Sequence, residues 1–144
     1  MIWQRLKYFS KDEKWGNPEK ISPMLLLLLE KLREKLGKPF VVHCGYENKG
    51  HSSASRHYRG DAVDFHVKDM PFKEAVDKLL KALHEIKLLD QVSAVYVGLG
   101  IYPDWNTPGF HIDLRGYSAR WGRIGADYVT FEKAYHHATE RGSK

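Results

Sequence analysis

Histidine and aspartate residues alternate with apolar residues in two short segments of the sequence. The segment SRHYRGDAVDFHV contains His57 and Asp64, and the segment GFHIDLRG contains His111 and Asp113. Two imidazoles and one carboxylate are the ligands of a catalytic zinc ion that keeps its fourth position for water. Such an ion lowers the pKa of its water to about 7 and polarises a carbonyl group. The residue types therefore point to metal-assisted hydrolysis, provided that the two segments meet in space.

Both segments have the period-two pattern of a strand with one face on the core. In DAVDFHV the apolar residues alternate with Asp64 and His66, and in FHIDLR they alternate with His111, Asp113 and Arg115. The polar residues of each strand then share the face opposite to the core. If the two strands are neighbours, these groups converge. Spacing by itself leaves open the alternative that the histidines are hydrogen-bonded structural residues.

The other segments predict the elements that would position these strands. Apolar periodicity indicates helices over 23–36, 71–88 and 130–140, and PFVVHCGY and SAVYVGLGIY read as strands. Residues 47–59 are polar and rich in Gly and Ser, which favours a long surface loop. The order predicts an α+β fold with a small, mainly antiparallel sheet flanked by helices, in one domain over residues 1–144.

Net charge and the length of apolar runs narrow the classes of molecule that the protein is expected to bind. The net charge is +5, which favours approach to anionic polymers, but no block of basic residues resembles an arm for nucleic acid. The run MLLLLL is too short to cross a bilayer, so no membrane insertion is expected. The N-terminus has no recognisable secretion signal. The oligomeric state is left open.

The single cysteine excludes an internal disulfide and a zinc site built on several thiolates. Cys44 is the only cysteine among the 144 residues, and it follows the apolar run PFVV. Its position predicts a small buried residue of a strand, with a catalytic thiol as the less favoured alternative.

Two motifs resemble those of the M15 peptidases, which are zinc D-Ala-D-Ala carboxypeptidases and related cell-wall peptidases. SRHYRGDAVD is similar to the S-x-H-x-x-G-x-A-x-D motif of that family. GLGIYP and FHIDLRGYSARW resemble segments of the branch that includes phage lysins and murein endopeptidases. The resemblance covers about residues 8–122. The positions that match the first motif are Ser55, His57, Gly60, Ala62 and Asp64.

The resemblance implies one zinc ion per chain, bound by His57, Asp64 and His111. It also implies the fold shared by these peptidases and the zinc-bearing amino-terminal domain of hedgehog proteins. The implied activity is hydrolysis of an amide bond in peptidoglycan stem peptides, by a D-Ala-D-Ala-type carboxypeptidase or a cross-link endopeptidase. A peptidoglycan peptide would then be the partner of the site.

The chain departs from the family pattern at two positions. Well-studied members carry a glutamate three residues before the final histidine, where this chain has Pro108, so the proton acceptor is in doubt. Asp113 is the first candidate, as the base or as a hydrogen-bond acceptor that orients a ligand histidine. Members often read S-G-Y-R after the first strand, whereas here Glu47 stands in the place of the arginine.

Four further residues are candidates for substrate contacts. Arg115 and Arg120 could bind a carboxylate or stabilise an anionic tetrahedral intermediate, with structural salt bridges as the alternative. Tyr102 and Trp121 could form a wall of a peptide groove, with packing in the core as the alternative.

Three functional hypotheses follow from these observations. The leading one is a zinc metallopeptidase of the phage-lysin type, made in the cytoplasm and acting at the cell wall after release or export. The alternative is a non-catalytic, zinc-containing module of the same fold that binds the cell wall. A basic nucleic-acid-binding protein is a third and weaker hypothesis.

Overall fold

A six-stranded sheet with three α-helices forms the protein in the computed structural model, which describes residues 2–47, 55–88 and 91–142. Of residues 139–142 it describes the helical backbone. In chain order the elements are α1 (Pro23–Leu36), β1 (Phe40–Cys44), β2 (Ala62–Val67), α2 (Phe72–Glu85), β3 (Gly98–Tyr102), β4 (Gly109–Asp113), β5 (Ala119–Ile124), β6 (Asp127–Val129) and α3 (Phe131–Gly142).

The sheet has the spatial order β1-β2-β4-β3-β5-β6. All neighbours are antiparallel except β3 and β5, which run parallel. The predicted α+β class and the mainly antiparallel sheet are confirmed. The pairing of β2 with β4, on which the predicted site depends, is present with Asp64 opposite His111.

One face of the sheet carries the hydrophobic core. On β2 the predicted alternation is confirmed, because Val63, Phe65 and Val67 are buried. The buried leucines of α1 and the apolar stripe of α2 belong to the same core cluster. Helix α3 reaches this face through Ala134, which lies where a side chain at Gly122 would project. The opposite face of β2 holds the partly exposed Asp64 and His66, and we call it the open face.

Several element boundaries differ from the sequence-based prediction. Helix α2 ends at Glu85 and not at residue 88, because Ile86 is extended and Lys87 forms a β-bridge with Ser93. The strand predicted from SAVYVGLGIY begins only at Gly98. Helix α3 begins one residue later and ends two residues later than predicted. Strands β5 and β6 were not predicted. No helix in the described part of the chain is long and apolar enough to cross a membrane.

Gly60 lies between the short turn that contains His57 and the start of strand β2. It ends the short 3-10 turn Arg56–Arg59 with a φ of 72°, in the left-handed region, and its N–H donates to the carbonyl groups of that turn. A Cβ at this position would overlap the carbonyl oxygen of Lys20. Glycine is therefore required both for its backbone conformation and for the close approach of another chain segment.

We expect Gly60→Ala to destabilise the protein more than Gly37→Ala does. Gly37 has nearly the same φ, 74°, but a Cβ added there would meet no other part of the protein within 4 Å. Gly37→Ala should cost about 1 kcal/mol from the left-handed backbone alone, and Gly60→Ala should cost about 2–3 kcal/mol because it adds the overlap. Thermal and urea unfolding of both variants measure the difference, and equal losses would contradict this account.

Candidate metal centre

A row of cross-strand partners crosses the open face of the sheet. Cys44 is paired with Asp64, Asp64 with His111, His111 with Gly100, and Gly100 with Trp121. Side chains of directly opposed residues project from the same face and lie close together. The register of the strands therefore brings Asp64 and His111, 47 positions apart in the sequence, into direct contact.

His57 reaches this row from the 3-10 turn that precedes β2. The Ser55 hydroxyl accepts a hydrogen bond from the His57 backbone N–H at 3.2 Å. The ring atom Nδ1 lies 2.7 Å from the carbonyl oxygen of Gly45. A carbonyl oxygen can only accept, so Nδ1 carries a proton, and Nε2 can donate to Asp64 when it is protonated or offer its lone pair to a metal when it is not. Nε2 lies 3.4 Å from Asp64 Oδ1, which is the orientation that a metal ligand needs.

Three possible ligand atoms converge at Asp64. Its Oδ1 lies 3.4 Å from His57 Nε2 and 2.9 Å from His111 Nδ1. The side chains of His57, Asp64 and His111 are 4, 17 and 12% exposed, so the cluster is largely shielded from solvent. The three residues predicted as metal ligands are therefore neighbours in the structure, and their donor types fit a divalent zinc ion.

Asp113 and Arg115 form a hydrogen-bonded chain that ends at the His111 ring. Asp113 is fully buried, and its Oδ2 lies 2.7 Å from His111 Nε2. The Arg115 guanidinium donates to both oxygens of the same carboxylate, each at 2.7 Å. Gly98 leaves the space for this pair, because a Cβ there would collide with both side chains. Both Asp113 oxygens are thus engaged, which is the arrangement of a residue that orients a ligand histidine.

The pKa values within the cluster follow from these contacts. Burial raises the pKa of Asp64, but hydrogen bonds from His111 and His57 outweigh it and lower the value to about 2. Burial lowers the pKa of His111, but hydrogen bonds to Asp113 and Asp64 raise it to about 9. Burial likewise opposes ionisation of Asp113, whose pKa is nevertheless lowered by Arg115 and His111. In the absence of metal, a proton on His111 occupies the position where a cation would bind.

Cys44 differs from its predicted place in the core. It is only partly buried, and its Sγ belongs to a group with His57 and Asp64 whose ligand atoms lie within 4.8 Å of one another. These three residues lie close enough to bind a metal. The thiol donates to Glu47 Oε1 at 3.4 Å, and burial, with Asp64 and Glu47 nearby, raises the pKa of Cys44. The β-bulge between Val42 and Cys44 explains the error, because it breaks the alternation that would turn Cys44 inward.

An aromatic cluster borders the metal centre on the β3–β5 side. The Trp121 ring lies 5.4 Å from the His111 ring, and its Nε1–H donates to the Tyr102 hydroxyl at 2.9 Å. Tyr102 stacks on Trp105 with ring centroids 4.5 Å apart. The Arg115 guanidinium lies 4.6 Å above the Trp121 ring. Trp121 and Arg115 thus lie beside the candidate metal site, where Arg115 forms a salt bridge with Asp113, whereas Tyr102 is buried behind Trp121, as the alternative of core packing predicted.

The prediction for Arg120 is wrong. Arg120 is the register partner of Leu99, a fully buried core residue, so it projects from the face opposite to Trp121. Its guanidinium donates to the backbone carbonyls of Val97, Ala119 and Val95. Its charge therefore holds the segment before β3 against β5 and is directed away from the metal centre.

A pair of histidines lies beside the site, and only His66 was expected there from the sequence, whereas His43 was missed. His43 Nε2 lies 2.5 Å from His66 Nδ1, and the His43 ring lies 5.6 Å from Trp105. Burial lowers the pKa of both histidines. The alternation of PFVVHC, which puts His43 on the open face, was the available signal. His137 also has a partner, because it lies 2.7 Å from Asp104, whereas His51 lies outside the described residues.

The stability of the metal-free protein should depend on pH through His111 and Asp64. The raised pKa of His111, about 9 against 6.5, stabilises the fold below pH 6.5 and this contribution is lost as pH rises through 9. The lowered pKa of Asp64, about 2 against 3.8, stabilises it above pH 3.8 and is lost as pH falls through 2. Thermal melts of chelator-treated wild type should decline between pH 6.5 and 9, and His111→Asn should flatten that decline. Parallel pH curves for the two proteins would contradict the assignment.

Comparison with known proteins agrees with this geometry. A model of the family described as Peptidase M15 matches residues 7–97, which include His57 and Asp64 but end before His111. No curated protein and no solved structure matches the chain significantly. The matched residues include α1, β1, the turn that contains His57, β2 and α2, and they make up more than half of the sequence. The chain therefore belongs to the Peptidase M15 family.

Proposed function

We propose that the protein is a zinc metallopeptidase that hydrolyses an amide bond in peptidoglycan stem peptides, with His57, Asp64 and His111 as the zinc ligands. The observation that carries the proposal is the convergence of His57 Nε2 and His111 Nδ1 on the single oxygen Asp64 Oδ1. Membership of a peptidase family supports the reaction class. Two imidazoles and one carboxylate leave a fourth position, as catalytic zinc sites do.

The zinc ion and the site residues would have separate roles in such a reaction. Zinc, when bound, supplies a Lewis acid for the substrate carbonyl and lowers the pKa of the attacking water. Asp113 holds the His111 ring in the tautomer that presents Nδ1 to the cluster. Arg115 neutralises the buried Asp113 and extends a positive charge to the edge of the site, where an anionic tetrahedral intermediate or a substrate carboxylate would lie.

Three features support a cell-wall peptide as the substrate. The protein has a net charge of +5, and peptidoglycan-bearing walls are anionic. The helices of the core cover one face of the sheet, so an extended peptide has access to the open face. Trp121, which packs on the buried Tyr102, gives that face an aromatic surface next to the candidate metal centre. Action at the cell wall after release or export, as by phage lysins, is part of this proposal.

Removal of one ligand should abolish both zinc binding and wall hydrolysis. Wild-type protein should contain one equivalent of zinc, and His111→Ala should contain none, because the remaining donors are too few. Digestion of purified peptidoglycan with mass analysis of the released peptides identifies the bond that is cleaved. His137→Ala is the matched control, because His137 contacts Asp104 away from the cluster and should leave metal content unchanged. A wild-type protein without metal would refute the proposed function.

Asp113→Asn should weaken zinc binding without removing a ligand. The substitution takes away the charge that orients His111 and leaves Arg115 without its partner. Loss of such a supporting carboxylate typically lowers metal affinity about 10-fold to 100-fold. Competition with a chromogenic chelator measures the affinity, and an unchanged value would show that Asp113 does not orient the ligand.

Cys44 favours a second candidate function, a non-catalytic zinc module that binds the cell wall. Its sulfur lies near His57 and Asp64, and a thiolate in the fourth position would close the site as in structural zinc centres. The cobalt(II)-substituted protein separates the two candidates. An intense sulfur-to-cobalt charge-transfer band that is lost in Cys44→Ser would indicate the closed site, and its absence together with wall hydrolysis would indicate the peptidase.

A further inference from the structure

Three arginines on or near β5 differ in what their guanidinium groups already contact. Arg115 donates to both oxygens of Asp113. Arg120 donates to three backbone carbonyl groups. Arg123 makes no hydrogen bond or salt bridge within the described residues, and its Nε is the one buried side-chain nitrogen or oxygen there that lacks a partner. A buried donor without a partner is rare in native proteins and points to a ligand or water that completes it.

Arg123 projects from the open face of the sheet. Trp121, two residues earlier on β5, lies with its ring 5.4 Å from the His111 ring. The residue between them, Gly122, faces Ala134 of α3 on the side of the core. Because side chains alternate along a strand, Arg123 returns to the face that carries Trp121. The unpaired guanidinium therefore shares a face with the candidate metal centre.

Aromatic side chains hold the Arg123 guanidinium in place. Its Cζ lies 5.2 Å from the centre of the ring of Tyr128, its register partner on β6. Burial raises the pKa of Tyr102, and the nearby charge of Arg123 opposes this rise. Stacking on an aromatic ring orients a guanidinium but uses none of its N–H donors. The two tyrosines thus position Arg123 and leave its donors available to an anion.

These surroundings suit a carboxylate ligand. The planar N–H donors of a guanidinium match the two oxygens of a carboxylate. The burial of Nε removes part of the hydration of the charge, and charge-assisted hydrogen bonds are stronger where water is partly excluded. The Asp104 carboxylate, on the segment before β4, accepts from the Gly125 N–H at 2.8 Å and lies 2.7 Å from His137 Nε2. This carboxylate is therefore engaged by groups other than Arg123.

We propose that Arg123 binds a carboxylate of the peptide substrate, an inference that rests on the proposed peptidase function. His111 opposes Gly100, and Gly100 opposes Trp121, so two strand spacings and two residues separate the Cα atoms of His111 and Arg123 by about 12 Å. An extended peptide covers that distance in about three or four residues. The preferred substrate is thus a peptide with a free carboxylate at this distance from the cleaved amide bond.

A binding experiment tests the inference without hydrolysis. Two fluorescent stem peptides, one with a free glutamate α-carboxylate and one amidated at that group, are titrated into chelator-treated protein, and anisotropy gives the affinities. Wild type should bind the carboxylate form about 10-fold to 100-fold more tightly, and Arg123→Gln should bind both forms equally. Arg33→Gln is the matched control, because Arg33 also stacks on a tyrosine, 4.3 Å from the Tyr8 ring, but belongs to α1.

Hydrolysis by the zinc-loaded proteins gives a second measurement. Arg123→Gln should raise KM for the carboxylate form at least about tenfold and leave kcat within about twofold, because Arg123 holds a part of the substrate remote from the reacting atoms. KM for the amidated peptide should be the same in wild type and Arg123→Gln. Arg123→Lys should keep part of the carboxylate preference, since it retains the charge but not the planar donors.

The inference and the proposed function can fail separately. A protein that hydrolyses no wall peptide but binds the carboxylate form through Arg123 would refute the peptidase and leave the carboxylate site standing. Equal affinity of wild type for the two peptides, or no binding of either, would overturn the inference even if wall peptides are hydrolysed. An Arg123→Gln variant that keeps the full carboxylate preference would overturn it as well.

Discussion

The site depends on one carboxylate oxygen, Asp64 Oδ1, which faces two imidazole nitrogens at the centre of the sheet. Without metal, this contact holds a proton on His111, whose pKa is raised to about 9. In the proposed function, the same three atoms are the zinc ligands. A largely buried carboxylate is costly unless it is paired, and His57 and His111 supply that pairing for Asp64. The supporting pair of Asp113 and Arg115 follows from the same constraint.

The sheet positions these paired groups because its apolar residues lie on one face and its titratable residues on the other. Phe65, Phe110 and Ile112 are buried on one face beneath the helices, and they fix the strands in register. Because side chains alternate along a strand, this packing directs Asp64 and His111 to the other face. Glycines on β3 leave room on that face for large side chains of the neighbouring strand, since a Cβ at Gly100 would collide with the Trp121 ring. Packing of the core on one face therefore positions Asp64 and His111 on the other face.

The two departures from the family pattern lie near the candidate ligands, Pro108 in the sequence and Glu47 through contacts with Cys44 and His57. Pro108 precedes His111 by three residues and Glu47 contacts the Cys44 thiol, whereas His57 and Asp64 match the family motif. The family match thus includes His57 and Asp64, whereas Glu47 and Pro108 distinguish this chain from the family pattern.

The sequence by itself determined the strands that carry polar residues, the faces on which Asp64 and His111 lie, and the α+β class, because alternation and helical periodicity are local properties. It could not determine that Cys44 turns toward the ligands, since a bulge in β1 displaces it from the alternation. It also misassigned Arg120, because β5 lacks a clear apolar alternation and its face is set only by pairing with Leu99. Register between distant strands is decided by the packing of the whole core, and that packing exists only in the tertiary structure.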